Sequence, residues 1–362
     1  MKVNLTINGK MIQAKEGQTI LEIAHNHNII IPTLCYHKNL SVIGSCRLCL
    51  VEVGRTSKQV TACSFLVSEG LEISTESKSL DQSRRFVLSL LAKNYVDIGY
   101  KTKDEHATEF ESMLRLYDIK VPERSTELTH RVNSDSSPVV WVDLNKCILC
   151  TRCVRACAEI QGRFIWGVDE RGIDSKIIAG TSNNLIDARC ESCGACVAFC
   201  PTGALDNKIS IDLGNPDKKV TTTCTYCGVG CQYDLNVKNQ NIIRVTSNPN
   251  APVNGMHLCV KGRYGYDFIN HPDRLVTPIV RRYLLDGSQK SLEGTAWEWV
   301  KTDWETALNI TANNLEKRRA QYGGESIGIL TSAKCLNEEN YLMSKLARQV
   351  LGTNNIDHCA RL

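Results

Sequence analysis

The sequence predicts an α+β chain built from several domains, and three observations carry that reading. At 362 residues the chain is long enough for two to four separate hydrophobic cores. Apolar residues alternate at the N-terminal end as in a strand hairpin, whereas near the C-terminal end they follow a strand–helix–strand order. Sixteen of the 18 cysteines fall into four sets of four, which divides the chain into successive segments. Hydrophobic residues at 42% and charged residues at 23% are ordinary for a globular protein, and a net charge of +4 is too mild for a nucleic-acid binder. The opening MKVNLTINGK has no secretion pattern, and no stretch of 18 apolar residues reads as a membrane span. A cytoplasmic setting is expected, where thiols stay reduced and clustered cysteines bind metal instead of forming disulfides.

Residues 1–76 make the first segment. Val3, Leu5 and Ile7 alternate as a strand, Asn8-Gly9 is a two-residue hairpin turn, and Ile12 and Ala14 lie on the return strand. Thr19 and Glu22 are spaced as a capping box for a helix with Ile20, Ile23, Ala24 and His27 on one face. This is a β-grasp pattern. Its cysteines, Cys35, Cys46, Cys49 and Cys63, give a distant first ligand, a tight pair and a distant last ligand. That arrangement suits a [2Fe–2S] cluster, with a four-cysteine zinc site as the alternative. Gly44 and Ser45 lead into the ligand loop, where backbone N–H groups can point at sulfur and raise the potential.

Residues 77–137 follow as a helix and a linker. A helix over 77–94 places Leu80, Val87, Leu88 and Leu91 on one face, and the polar, mixed stretch 95–137 ends in a linker at Ser134–Pro138. Residues 138–212 carry the most specific pattern: Cys147-x2-Cys150-x2-Cys153-x3-Cys157, then Cys190-x2-Cys193-x2-Cys196-x3-Cys200-Pro201. In tandem runs of this kind the fourth cysteine of each run ligates the other cluster, as in two-cluster ferredoxins. Cys147, Cys150, Cys153 and Cys200 are therefore expected around one [4Fe–4S] cluster, and Cys190, Cys193, Cys196 and Cys157 around another. A zinc knuckle would pair two C-x2-C units instead.

Residues 219–278 hold Cys224, Cys227, Cys231 and the distant Cys259, which suit a third [4Fe–4S] cluster or, on spacing alone, zinc. Gly228 and Gly230 keep the loop small, and a strand pair (Tyr233, Leu235 and Val237, a turn at 239–241, then Ile243 and Val245) returns the chain to the last ligand. In residues 279–362, Ile327–Leu330 reads as a strand. Asn337 caps a helix carrying Leu342, Leu346 and Val350 that stops at Gly352, and Asn355–Cys359 reads as a second strand. One such unit cannot cover both faces of a parallel sheet, so the segment is expected to be the truncated start of an α/β domain. Cys335 and Cys359 stand outside the four sets and read as small buried apolar residues. The eight histidines read as core or surface residues, and no glycine fingerprint for a dinucleotide follows a strand.

Residues 1–212 resemble the N-terminal electron-transfer module shared by the large iron–sulfur subunit of respiratory complex I, some iron-only hydrogenases and NAD(P)-linked formate dehydrogenases. Residues 219–278 are similar to the iron–sulfur domain of the molybdopterin oxidoreductases, and 279–362 to the beginning of their molybdopterin-binding domain. The stretches Cys259–Asp267, His271–Leu275, Ser332-Ala333-Lys334, Asn337–Tyr341 and Gly352–Leu362 are similar to formate dehydrogenase catalytic subunits. The resemblance implies formate oxidation to CO2, or the reverse, at molybdenum or tungsten held by molybdopterin guanine dinucleotide. It implies that Lys261, two residues after Cys259, relays electrons between the pterin and the nearest cluster. From there they would pass through the other [4Fe–4S] clusters and the [2Fe–2S] cluster. The recipient would be a flavin- or NAD(P)-linked iron–sulfur subunit, a hydrogenase subunit or a ferredoxin. The other reading is a non-catalytic iron–sulfur subunit of a hydrogenase or complex-I-like assembly. Two departures stand out. Asn94-Tyr95 occupies the place where the family often has the histidine of a further cluster, and no cysteine lies between Cys63 and Cys147, so that cluster is expected to be lost. The family's metal-ligating selenocysteine or cysteine is expected just after Leu362. A selenoprotein cut at its own UGA codon is the simplest expectation, and the 362-residue chain alone is then expected to lack formate activity.

Overall fold

The computed structural model describes residues 1–93, 95, 108–120, 136–287 and 297–358. Contacts divide the chain into two units. The first is Met1–Lys219 with Asn236–Ser247 and Met256–Arg263; the second is Val220–Leu235, Asn248–Gly255 and Tyr264–Leu362.

The first unit opens with β1 (Lys2–Ile7) and β2 (Lys10–Lys15), antiparallel with Leu5 opposite Ile12. Asn8 (φ 50°) and Gly9 (φ 77°) are both left-handed, the geometry that matches a two-residue turn to the twist of its strands. In α1 (Ile20–Asn26) the Thr19 hydroxyl accepts from the Glu22 N–H at 3.2 Å, and the Glu22 carboxylate accepts from the Thr19 N–H at 2.7 Å. Ile20, Leu21, Ile23 and Ala24 are buried; His27 is exposed at the C-cap, because the helix ends before its face would reach the core. Strands β3 (Leu50–Val53), β4 (Lys58–Thr61) and β5 (Glu72–Ser74) complete a sheet of order β2-β1-β5-β3-β4. Strand β5 runs parallel to β1 and antiparallel to β3. The core under α1 joins Val3, Leu5, Ile7, Val51 and Ile73 to Cys49 and Cys63.

Helix α2 (Lys78–Lys93) buries Leu80, Arg84, Leu88 and Ala92, with Val87 and Leu91 partly buried. The stretch expected to be linker contains a helix, α3 (Glu109–Leu116), with its own capping box between Thr108 and Glu111. Eight residues give too few turns for a periodic signal; buried Phe110 and Leu114 hold the helix through tertiary contact. At the far end of the expected linker, Ser137 is buried and its hydroxyl accepts from the Val140 N–H at 3.0 Å. Asn94 and Ser134 lie outside the described residues.

Strand β6 (Val140–Val142) pairs antiparallel with β9 (Leu205–Asn207). Between them come α4 (Arg152–Arg155), which continues as a wider turn through Ile160, the hairpin of β7 (Trp166–Asp169) and β8 (Lys176–Ala179), and α5 (Ala195–Phe199). A three-stranded sheet of order β10-β11-β12 follows, from β10 (Lys218–Thr223), β11 (Gln232–Lys238) and β12 (Asn241–Ser247). Asn239 (φ 49°) and Gln240 (φ 65°) make its left-handed turn. Helix α6 (Val260–Tyr264) starts directly after Cys259.

In the second unit β13 (Ile279–Arg281) pairs with β14 (Trp299–Lys301), α7 (Tyr283–Asp286) follows β13, and the Arg281 guanidinium lies 3.8 Å from the Trp299 ring centre. Helix α8 (Trp304–Tyr322) is capped by Asp303, whose carboxylate accepts from the Thr306 N–H at 2.7 Å, and it has no fully buried residue. With no apolar stripe, α8 escapes a reading based on periodicity. Strand β15 (Ile329–Thr331), α9 (Asn337–Lys345) and β16 (Ile356–His358) form the expected strand–helix–strand, with β15 and β16 parallel. Its details differ from expectation. Leu336, not Asn337, is the N-cap, and its N–H donates to the Glu339 carboxylate at 2.7 Å. The helix widens over Leu346–Leu351, which turns Ala347 and Leu351 inward and leaves Val350 (54% exposed) outside; Leu342 (60%), before the widening, is outside too. The chain leaves the helix at Gly352 with φ 70°. Cys359, Arg361 and Leu362 lie outside the described residues. Among the described residues no helix is long and apolar enough to cross a membrane.

Candidate metal centres

Cys35, Cys46 and Cys49 sit on the chain between α1 and β3, and Cys63 follows β4; all four are buried. The Cys35 N–H points at the Cys46 sulfur at 3.4 Å, and the Cys46 N–H at the Cys35 sulfur at 3.5 Å. The Cys46 thiol, helped by Ser45, holds Cys35 below the usual thiol range, while the bond to Cys35 and burial push Cys46 up. The second pair repeats this: Cys49 and then Ser64 lower Cys63, while the bond to Cys63 and burial raise Cys49. Cys63 also senses Cys35, and Cys49 senses Cys46, so the two pairs lie within electrostatic reach. The thiolate is the ligand form of cysteine, and in each pair one sulfur is favoured as that form over the other.

Cys147, Cys150, Cys153 and Cys200 all line one cavity, whose walls also include Leu144, Ile177, Leu205 and the polar Thr151 and Thr202. Burial, with Cys200 and Cys147 adding, pushes the Cys150 thiol up to about 12; burial also raises Cys153, which senses Cys147, Cys150 and Cys200. In the second run Cys190, Cys193 and Cys196 are raised by burial, and all three sense Cys157. Thus the last cysteine of each run lies near the first three of the other. Cys153 also senses Cys196, so the two sets are neighbours.

The two loops repeat one backbone. Leu149 (φ 55°) and Thr151 (φ 55°) match Ser192 (φ 54°) and Gly194 (φ 71°) position for position. The Leu149 N–H points at the Cys147 sulfur and the Ser192 N–H at the Cys190 sulfur, both at 3.4 Å. Further donors aim at the last cysteines, Ile165 N–H to Cys157 at 3.3 Å and Leu205 N–H to Cys200 at 3.5 Å. Such donors stabilise a charged sulfur.

In the third region Cys224 is buried after β10, and its N–H donates to the Cys231 carbonyl at 2.7 Å. The Gly228 N–H donates to the Ala333 carbonyl at 3.0 Å, and a Cβ on Gly228 would stand 3.5 Å from Asn337 Oδ1 and 3.7 Å from the Cys335 carbonyl. The stretch 332–337 therefore packs on the cysteine loop. Half-buried Cys335 belongs to that contact and is not the core residue expected. Cys224, Cys227 and Cys231 fall in the second unit, while the exposed Cys259 and Lys261 fall in the first.

The donor sets of the first three groups fit iron–sulfur clusters: buried or half-buried sulfurs, N–H groups aimed at them, and for one set a sulfur-lined cavity. Among the described residues no three Cys, His, Asp or Glu side chains converge on a single-ion position.

Three arginines escaped the sequence reading. Arg152, Arg155 and Arg263 are buried. Arg152 forks onto Glu109 at 2.8 and 2.9 Å and donates to the Tyr36 carbonyl at 2.6 Å. Arg263 donates from Nε to the Cys193 carbonyl and from Nη2 to the Ser247 hydroxyl, both at 2.9 Å. For Arg152 and Arg155 the available signal was a charge set inside a cysteine run, a placement that needs partners; Arg263, four residues after Cys259, lies outside any run. Where the family often has a histidine ligand, Tyr95 is buried, lies edge-on to Phe110 at 5.1 Å and donates to Glu111 at 2.9 Å.

Four stretches of the chain match known families. Residues 1–78 match the 2Fe-2S iron-sulfur cluster binding domain, and 137–206 the ferredoxin-like domain of NADH-quinone oxidoreductase subunit 3. Residues 217–271 match the molybdopterin oxidoreductase Fe4S4 domain, and 274–362 the molybdopterin oxidoreductase family. The NADPH-Fe(3+) oxidoreductase subunit alpha of Geobacter sulfurreducens is 35% identical over 99% of this chain and 40% of its own length. An NADH-quinone oxidoreductase subunit of Rhizobium meliloti is 33% identical, with 99% and 40% covered. A Staphylococcus haemolyticus protein named "Putative formate dehydrogenase" is 28% identical, with 99% and 39% covered. The chain thus spans about two fifths of the length of the curated relatives it matches. A solved NAD+-reducing [NiFe]-hydrogenase chain is similar with a TM-score of 0.51 and 29% identity, over 57% of this chain and 87% of that one.

Proposed function

From a chain of the molybdopterin oxidoreductase family with an N-terminal iron–sulfur module, we propose a carrier that moves electrons singly through one [2Fe–2S] and three [4Fe–4S] clusters. The observation behind this is the common cavity of Cys147, Cys150, Cys153 and Cys200. In this reading residues 1–76 hold the two-iron cluster through Cys35, Cys46, Cys49 and Cys63, and residues 138–212 hold two four-iron clusters with crossed ligands. Residues 219–278 hold the fourth cluster through Cys224, Cys227, Cys231 and Cys259. Each cluster, when bound, supplies a site that gains or loses one electron without moving a proton. The chain's own part is to present thiolates, aim N–H groups at them and exclude water with Leu34, Leu48, Phe110 and Leu205, all buried.

The family's pterin cofactor would meet this chain near Lys261, exposed on α6 two residues after Cys259, and we assign Lys261 the relay position. Formate is the proposed substrate of the whole protein, on the likeness of 332–334, 337–341 and 352–362 to formate dehydrogenases. A second reading, electrons delivered from NAD(P)H by a partner subunit, is favoured by the name of the 35% identical relative. One anaerobic experiment separates them. The reconstituted 362-residue chain is expected to hold about 14 iron atoms and no zinc. Formate should reduce the clusters of the full-length protein, and Lys261→Ala should slow that reduction with all clusters assembled. Reduction by NADPH and a partner but not by formate would favour the second reading. Zinc in the cysteine sets, or iron near 18, would overturn the cluster assignment.

A further inference from the structure

Arg155, the last residue of α4, is 7% exposed and reaches two cysteine sets at once. Its Nη2 donates to the carbonyl of Cys35 at 2.7 Å and to the carbonyl of Cys150 at 3.1 Å. Its Nη1 donates to the Ser41 carbonyl at 2.5 Å, and the Ser41 N–H donates in turn to the Glu159 carboxylate at 2.7 Å. One guanidinium therefore ties the Cys35–Ser41 loop to the Cys147–Cys153 loop. The surroundings are dry: Cys35, Cys46 and Cys150 belong to one apolar cluster with Leu34, Leu48, Leu88, Tyr95 and Phe110. Burial counts against the charged guanidinium and the sulfurs of Cys150 and Cys35 count for it; arginine nevertheless keeps its proton in proteins. A fixed positive charge in such a medium acts strongly on any group beside it that takes up an electron.

We propose that Arg155 is a shared positioning residue for two electron-transfer centres: it raises the reduction potentials of both the Cys35 set and the Cys147 set and holds them as direct neighbours in the transfer chain. This rests on the cluster assignment above. Arg155 would act through the peptide dipoles of Cys35 and Cys150 and by its charge, without touching iron. When one electron passes between the two sets, no bond forms or breaks, no proton moves and Arg155 keeps its charge. Its field disfavours neither direction, because both sets feel it. The tie also links the centres directly across the segment where Tyr95 and Phe110 fill the core.

The test is an EPR-monitored redox titration of the anaerobically reconstituted full chain. Arg155→Met is expected to lower both potentials, each by about tenfold in the one-electron reduction equilibrium, which is about 59 mV. The Cys224 set serves as the internal standard and should not move. Arg155→Lys keeps the charge but not the fork, so one potential should stay near its original value while the other falls. Iron content and the number of EPR signals report the cluster assignment independently of the potentials. Assembled Arg155→Met with both potentials unchanged overturns the proposal. Should that variant fail to assemble, Arg155→Lys with both potentials unchanged overturns it.

Discussion

Cys157 and Cys200 carry the sharpest question at the level of single residues. Each ends its own run after a gap of three residues yet lies near the sulfurs of the other run. A pair of double substitutions tests the crossing. Cys147→Ser with Cys200→Ser should remove about four iron atoms, no more than either change alone, because both would serve one cluster. Cys190→Ser with Cys200→Ser should remove about eight. The reverse pattern in iron analysis would mean that each run closes on itself. The sixteen cysteines and their grouping were legible in spacing, since two-residue gaps are local. The arginines were not: Arg155 and Cys35 are 120 residues apart, and Arg152 and Glu109 are 43 apart. Nothing local marks such a pairing.

The elements that position the cysteines are short and depend on special backbone conformations. Thr151 and Gly194 occupy equivalent left-handed positions, at φ 55° and 71°, immediately before α4 and α5. A side chain there costs about 1–2 kcal/mol from the clash of Cβ with backbone, which Gly194 avoids and Thr151 bears. Gly194→Ala is therefore expected to destabilise the loop by about 1 kcal/mol and lower the thermal midpoint. Thr151→Gly should not lower it, although glycine adds entropy to the unfolded chain. Equal losses from both changes would show that φ is not what these positions share. The capping box at Thr19 was readable because its spacing is fixed by hydrogen bonding within one turn. Helices α3 and α8 were not, α3 for its eight residues and α8 for its lack of a buried stripe.

On the scale of the whole molecule, cysteines are built into some of the described cores more than others. Among the described residues, the cores around α1, around β6 and beside Tyr95 each include cysteine side chains, whereas that of Ile327, Ile329, Ala347 and Leu351 in the second unit includes none. Binding that requires the folded ligands stabilises the fold around them. Stripping iron with a chelator should therefore speed amide hydrogen exchange through β3, α2 and α4. The strand–helix–strand of β15, α9 and β16 should exchange at its former rate. Uniform acceleration would make the iron a global rather than a local support. The sequence by itself determined the α+β character, the N-terminal hairpin, the capped first helix, the four cysteine sets and the terminal strand–helix–strand. All of these rest on interactions within a few residues or on repeats of fixed period. Only the tertiary structure decided which arginine joins which loops, that α3 and Tyr95 fill the core beside Cys35 and Cys150, and which face of α9 turns inward. Those outcomes depend on shape and charge brought together from distant parts of the chain, and on a widened helical turn that no 3.6-residue period describes.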